Sequence, residues 1–297
     1  MKTKNFRLFS LFYFLLVMLG CKLSEQAISP TPHPPEPTTI PSQETFTAIP
    51  STPTISPTTA KVTHSPTSTA EPSDTPIVFE SVSKTEVLYN SELSLSGYLC
   101  TPLGLGPFPA VIFNHGGLGD VIGGAPEETC QSLADAGMVG FSPIRRQTVP
   151  LDGHTADIQS AIDYVKNLDY VDIDRLGLMG FSRGGMLTFM VAAQRSDLQG
   201  AIIMASALPK DGDFSKFVQG INIPILLLVA SNDFPADLNK NQNLVEGAQD
   251  MEAALKASGK DVQLIIYPPF EPHGHMMFFE IGDYWNDVVA FFKSHLE

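Results

Sequence analysis

The stretch LGLMGFSRGG, residues 176–185, decides how the rest of the chain is read. Leu176 to Gly180 form a short, mostly apolar run of the kind that a strand buried on both faces requires. From Met186 the run MLTFMVAAQ has the character of a helix. Between the two, Ser182 stands among Gly180, Gly184 and Gly185. Residues without a side chain let the two backbones approach, while the serine on the bend exposes its oxygen at a helix amino end. There the helix dipole and free N–H groups favour developing negative charge. A bare G-x-S-x-G arises by chance, and the strand-turn-helix context is what gives it weight.

Working outward, similar apolar runs recur at 110–114 (AVIFN), 140–144 (GFSPI), 201–205 (AIIMA), 225–230 (ILLLVA) and 262–267 (VQLIIY). Segments with helical spacing separate them. PEETCQSLADAG (126–137) opens on a proline and acids, HTADIQSAIDYVKNL (154–168) carries Ile158, Ala161, Ile162 and Val165 on one stripe, and NLVEGAQDMEAALKASG (243–259) stops at a glycine. In the last helix, DYWNDVVAFFKSHL (283–296), the residues expected to face inward are Trp285, Val288, Val289 and Phe292. Alternating strands and helices predict an α/β fold, a mostly parallel sheet of about eight strands with helices on both faces. Ahead of it, residues 77–102 alternate polar and apolar positions, as at Leu93, Leu95, Tyr98 and Leu99, and predict antiparallel strands at the N-terminal edge. Only SALPKDGDFSKFVQGINIP (206–224) separates two of the runs, too little for a large cap.

Ligands of open parallel sheets sit beyond the carboxyl ends of the strands, so the residues after each run matter most. A serine hydroxyl is a poor nucleophile at neutral pH and requires a base and an orienting acid. Asp233, with Asp237 as its rival, follows the run at 225–230, and His273 and His275 follow the run at 262–267. The chain order is therefore Ser, Asp, His, each on a loop after its own strand. The two histidines have no third partner at the usual spacing of a zinc site, so no metal is expected.

The domain resembles an α/β-hydrolase, closest to the dienelactone hydrolase-like and prolyl-oligopeptidase-type branches. FPAVIFNHGGLGD (108–120), YVDIDRLGLMGFSRGG (170–185), ILLLVASND (225–233) and YPPFEPHGHMMF (267–278) carry the resemblance. It implies Ser182 as nucleophile, Asp233 rather than Asp237 as the acid, and His275, in its Gly-His pair, as the base. It implies backbone N–H groups of Gly117 and Arg183 as the oxyanion hole, with His115 fixing that loop. The expected activity is hydrolysis of a small-molecule ester through an acyl-enzyme, as by a carboxylesterase, and no cofactor is needed. A serine peptidase of prolyl-oligopeptidase type, or a non-catalytic surface binding module, are the other readings. Arg145, Arg146 and Arg183 either rim the pocket or form surface ion pairs.

The amino terminus has Lys2, Lys4 and Arg7 ahead of an apolar run from Leu8 to Leu19, the outline of an export signal. Met18-Leu19-Gly20-Cys21 resembles the lipobox of bacterial lipoproteins, in which the cysteine takes lipid. Residues 22–76 are more than half Pro, Thr and Ser, a composition that does not bury enough apolar surface to offset ordering entropy. The expected organisation is a lipoprotein-type signal (1–21), a disordered stalk (22–76) and a hydrolase domain (77–297), exported and held to the outer face of a bacterial membrane by lipid on Cys21. The formal net charge of −14 resides in the domain and excludes nucleic acid as a partner, since phosphate contact needs a basic face. Cys100 and Cys130 are open to two readings, a disulfide in an oxidising exterior or two ordinary buried thiols.

Overall fold

The computed structural model of the chain describes residues 77–117, 119–149, 151–210 and 212–297. The expected signal (1–21) and stalk (22–76), with Cys21, lie outside the described residues.

Within them the elements run β1 (Val78–Phe79), β2 (Ser83–Asn90), β3 (Leu95–Thr101), β4 (Gly104–Leu105), β5 (Phe108–Asn114), α1 (Pro126–Asp135), β6 (Val139–Pro143) and α2 (His154–Lys166). They continue as β7 (Val171–Phe181), α3 (Arg183–Ala192), β8 (Gly200–Met204), α4 (Ser215–Val218), β9 (Ile225–Ala230), α5 (Leu244–Ala257), β10 (Val262–Tyr267) and α6 (Trp285–Leu296). The main sheet has eight strands in the order β10-β9-β8-β7-β5-β6-β3-β2. From β10 to β6 every pair is parallel, and β3 and β2 complete that edge antiparallel, as the sequence predicts. β1 and β4 form a separate antiparallel pair. This is the α/β-hydrolase fold. Among the described residues the connection between β8 and β9 holds the single turn of α4 and no large cap.

The central strands are buried on both faces because their side chains alternate between two apolar layers. Ile112, Leu178, Ile203 and Leu227 pack on one face with Ile158, Ile162 and Val165 of α2 and Leu187 and Phe189 of α3. Val111, Phe113, Met179, Ile202, Leu226 and Leu228 pack on the other with Leu133 of α1 and Val288, Phe291 and Phe292 of α6. Each fully buried side chain of this size stabilises the domain by about 1.5–3 kcal/mol.

Two expectations are corrected. In α6 the fully buried stripe is Val288, Phe291, Phe292 and Leu296, whereas Trp285 packs half-buried against that core and Val289 is half-buried. Those two positions sit one residue round the helix from the buried stripe that begins at Tyr284 and Val288, and one residue is about 100° of rotation. Leu93 belongs to no strand but to the turn between β2 and β3, and is exposed.

The cysteine question resolves as a disulfide: Cys100 of β3 and Cys130 of α1 are bonded, with Cα atoms 5.5 Å apart. The two are 30 residues apart in sequence, and closing a loop of that length removes unfolded-state entropy worth about 3–4 kcal/mol. It ties α1 to the antiparallel edge of the sheet.

Candidate active site

Parallel register brings the strand ends to one rim. Asn114 at the end of β5 pairs with Gly180 of β7, Phe181 with Met204 of β8, and Tyr267 of β10 with Ala230 of β9. The loops that follow β5, β7, β9 and β10 therefore emerge side by side.

Ser182 occupies the bend between β7 and α3 with φ 53° and ψ −116°, a backbone conformation that L residues rarely adopt. The bend is held from outside: the Ser182 N–H donates to the Met204 carbonyl at 2.8 Å, and its carbonyl accepts from the Ala207 N–H at 2.9 Å. Glycine is required at two places beside it. A Cβ on Gly184 would lie 1.9 Å from the Asn114 carbonyl oxygen, and one on Gly180 would lie 2.4 Å from that of Gly184. The glycines flanking the serine are thus a packing demand at the crossing of β5, β7 and α3.

The structure brings the three distant residues together. The Ser182 hydroxyl lies 3.0 Å from His275 Nε2, and His275 Nδ1–H donates to Asp233 Oδ2 at 2.9 Å. Asp233 and His275 are almost wholly buried, so the pair meets away from bulk water. Asp237, by contrast, is an exposed residue at the start of a short 3-10 turn. Chemically the arrangement can pass a proton from hydroxyl to imidazole while a carboxylate fixes the ring.

Two further residues hold this geometry: Asn239, which sequence reading does not single out, and His273, which it weighs only as an alternative to His275. Asn239 Nδ2 donates to Asp233 Oδ1 at 2.9 Å and to the Phe234 carbonyl at 2.7 Å. His273 is half-buried. It accepts the His275 backbone N–H on Nδ1 at 3.1 Å and donates from Nε2 to the Phe234 carbonyl at 3.0 Å, joining the two loops. The only signal for it was its place two residues before His275.

Gly117, on the loop after β5, has φ +84°, and a Cβ there would collide with the Val121 carbonyl at 2.0 Å. Paired backbone bonds between Gly116 and Gly123, at 2.8 and 3.1 Å, close that loop. Gly117, Arg183, Ser182 and His275 all line one cavity of about 350 Å³. The Arg183 N–H belongs to the first turn of α3, where no intrahelical acceptor exists.

His115 sits beneath the loop. Nδ1–H donates to the Gly116 carbonyl at 2.6 Å and Nε2 accepts from the Arg145 backbone N–H at 3.3 Å, which fixes the tautomer. Burial, then the Arg145 cation, pushes its pKa down to about 3, so it is a neutral structural group.

Arg145 neither rims the pocket nor forms a surface pair, whereas Arg146 does form an ion pair, with a buried partner. Arg145 is 3% exposed, donates to the His115 carbonyl at 2.7 Å, and is held down to about 10 by burial. Arg146 grips the fully buried Asp157 through its Nε at 2.9 and 3.0 Å. Neither lines the cavity. Arg183 does: its half-buried guanidinium is shifted down by desolvation. Among the described residues no three His, Cys, Asp or Glu side chains gather as a metal site would require.

Comparison with known proteins agrees with this architecture. The model of the dienelactone hydrolase family matches residues 144–296. Protein usf of Aquifex pyrophilus is 25% identical over 232 residues, which are 69% of this chain and 95% of the relative. Among solved structures, a hyperthermophilic esterase from Pyrobaculum calidifontis shares the fold with TM-score 0.55 and 18% identity, over 72% of this chain and 85% of its own. The acylaminoacyl peptidase of Pyrococcus horikoshii gives 0.58 and 17%, over 73% of this chain and 42% of its own.

Proposed function

The chain belongs to the dienelactone hydrolase family and is a hydrolase, and on that premise we propose that it cleaves a carboxylic ester through a Ser182–His275–Asp233 triad and an acyl-enzyme. His275 Nε2 takes the Ser182 proton as Oγ attacks the ester carbonyl. The oxyanion accepts hydrogen bonds from the backbone N–H groups of Gly117 and Arg183, each such donor being worth about 2.7–4 kcal/mol in comparable sites. The imidazolium gives its proton to the departing alcohol, and water, deprotonated by the same imidazole, then releases the acid. Asp233 holds Nδ1–H throughout and steadies the charged ring.

The observation that carries this reading is the continuous relay of 3.0 and 2.9 Å from hydroxyl to imidazole to carboxylate, opening into a cavity. A fluorophosphonate probe tests it without knowledge of the substrate. The expected result is a single phosphonyl adduct on the peptide carrying Ser182. An unlabelled protein, or an adduct elsewhere, would contradict the reading and favour a binding module.

We propose also that the enzyme works outside the cytoplasm, on the outer face of a bacterial membrane, tethered by lipid on Cys21 through the 22–76 stalk. The Cys100–Cys130 disulfide supports export, since such bonds persist in oxidising compartments. Labelled palmitate in growing cells is expected to tag the wild type and not Cys21→Ser; equal labelling of both would overturn the anchor.

A further inference from the structure

The cavity above Ser182 has an apolar mouth that the ester chemistry itself does not call for. Val121, Val149, Leu238 and Phe279 line it, yet they are 59, 67, 46 and 37% exposed. Single apolar side chains on a surface are ordinary, but four around one opening are a binding feature. They arrive on four separate segments, after β5, β6, β9 and β10, so the collar is not the by-product of one strand's alternation. Ala207 and Leu244 continue it inward toward Ser182.

Size and charge narrow what fits. At about 350 Å³ the cavity is at the small end of ligand pockets, which run from roughly 300 to 1,000 Å³. A chain attached to a carbonyl on Ser182 and longer than a few carbons must leave across the collar. Asp120 and Lys240, the exposed charges of the lining, are opposite in sign and stay in water.

We propose that this site selects esters with an unbranched aliphatic chain of medium length, the chain lying on Val149 and Leu238. The proposal rests on the ester-hydrolase reading and adds its substrate class. Each methylene withdrawn from water is worth about fourfold, so three seated on the collar raise kcat/KM roughly sixtyfold.

The test is kcat/KM of the full-length protein for two series, at concentrations below micelle formation. One series is p-nitrophenyl acetate, butyrate and octanoate, and the other is ethyl, butyl and octyl acetate. In one of the two, the value is expected to rise at least thirtyfold from the shortest member to the longest. In the double variant Val149→Ser with Leu238→Ser the long-to-short ratio is expected to fall about tenfold, a ratio that cancels any loss of active protein. Both positions are exposed, so neither substitution opens a core cavity. Ser182-dependent turnover that is flat in both series, or a ratio unmoved in the double variant, overturns the proposal alone. So does a preference of more than tenfold for the p-nitrophenyl hemiester of succinate over the butyrate, which would assign recognition to Arg183. Turnover that Ser182→Ala retains in full sinks the ester-hydrolase reading, and this proposal with it.

Discussion

Ser182→Ala lowers kcat/KM for p-nitrophenyl acetate by a factor on the order of 10⁵–10⁶ while the protein stays folded. Without Oγ there is no acyl-enzyme, and what remains is the modest acceleration an oxyanion hole gives to water. The loss corresponds to about 7–8 kcal/mol of transition-state stabilisation, at 1.36 kcal/mol per decade. Folding is spared because the bend does not depend on the hydroxyl. It is pinned by backbone bonds to Met204 and Ala207, and alanine has the same steric demands at φ 53° as serine. Circular dichroism and thermal melting are expected to match the wild type, which separates lost chemistry from lost structure. A variant that keeps more than one part in a hundred of the activity would remove Ser182 from the mechanism.

The second large effect is expected at Asp233→Asn, at about 10⁴ in kcat/KM. The substitution is nearly isosteric in a fully buried site, so the cavity and the loops are unchanged. What changes is the hydrogen-bond polarity toward His275. The carboxylate accepts Nδ1–H and leaves Nε2 with a lone pair aimed at the Ser182 hydroxyl. An asparagine that turns its amide nitrogen toward the ring donates to Nδ1 instead, which puts the proton on Nε2 and leaves no acceptor for the hydroxyl. Asn239 biases the outcome, since its Nδ2 already donates to Oδ1 and demands an oxygen there, turning the new amide nitrogen toward the histidine. Steady-state kinetics beside the wild type measure the effect. A loss of less than tenfold would show that the carboxylate is not what orients the imidazole.

Much of this is legible in the sequence alone. The central strands announce themselves because burial on both faces leaves no room for polar residues, so Ile225 to Ala230 is apolar throughout. Ser182, Asp233 and His275 are legible as candidates because each follows such a run, and parallel register brings the loops that carry them together. The unread part lies where a residue's job depends on partners from elsewhere in the chain. Arg145 reads as a pocket-rim or surface-pair cation, but the loop after β6 folds it beneath His115, where a backbone carbonyl accepts its hydrogen bond. Asn239 looks like any polar loop residue until the turn of 237–239 sets it against Asp233. The disulfide depended on a Cα separation that composition does not encode. On α6 the inward face is legible at Val288 and Phe292, while Phe291, beside them on the buried stripe, is not picked out and Trp285 packs only half-buried at its edge.

The central claim is that Ser182 and His275 act as one unit, and a double-mutant cycle in kcat/KM addresses it most directly. Ser182→Ala, His275→Ala and the combined variant are assayed on one ester under one set of conditions. Residues that share a single proton transfer lose that step together, so the combined variant is expected to be no slower than either single variant within about threefold. Losses that multiply across the cycle would mean that the two side chains contribute separately, and the 3.0 Å contact between them would not be the catalytic one.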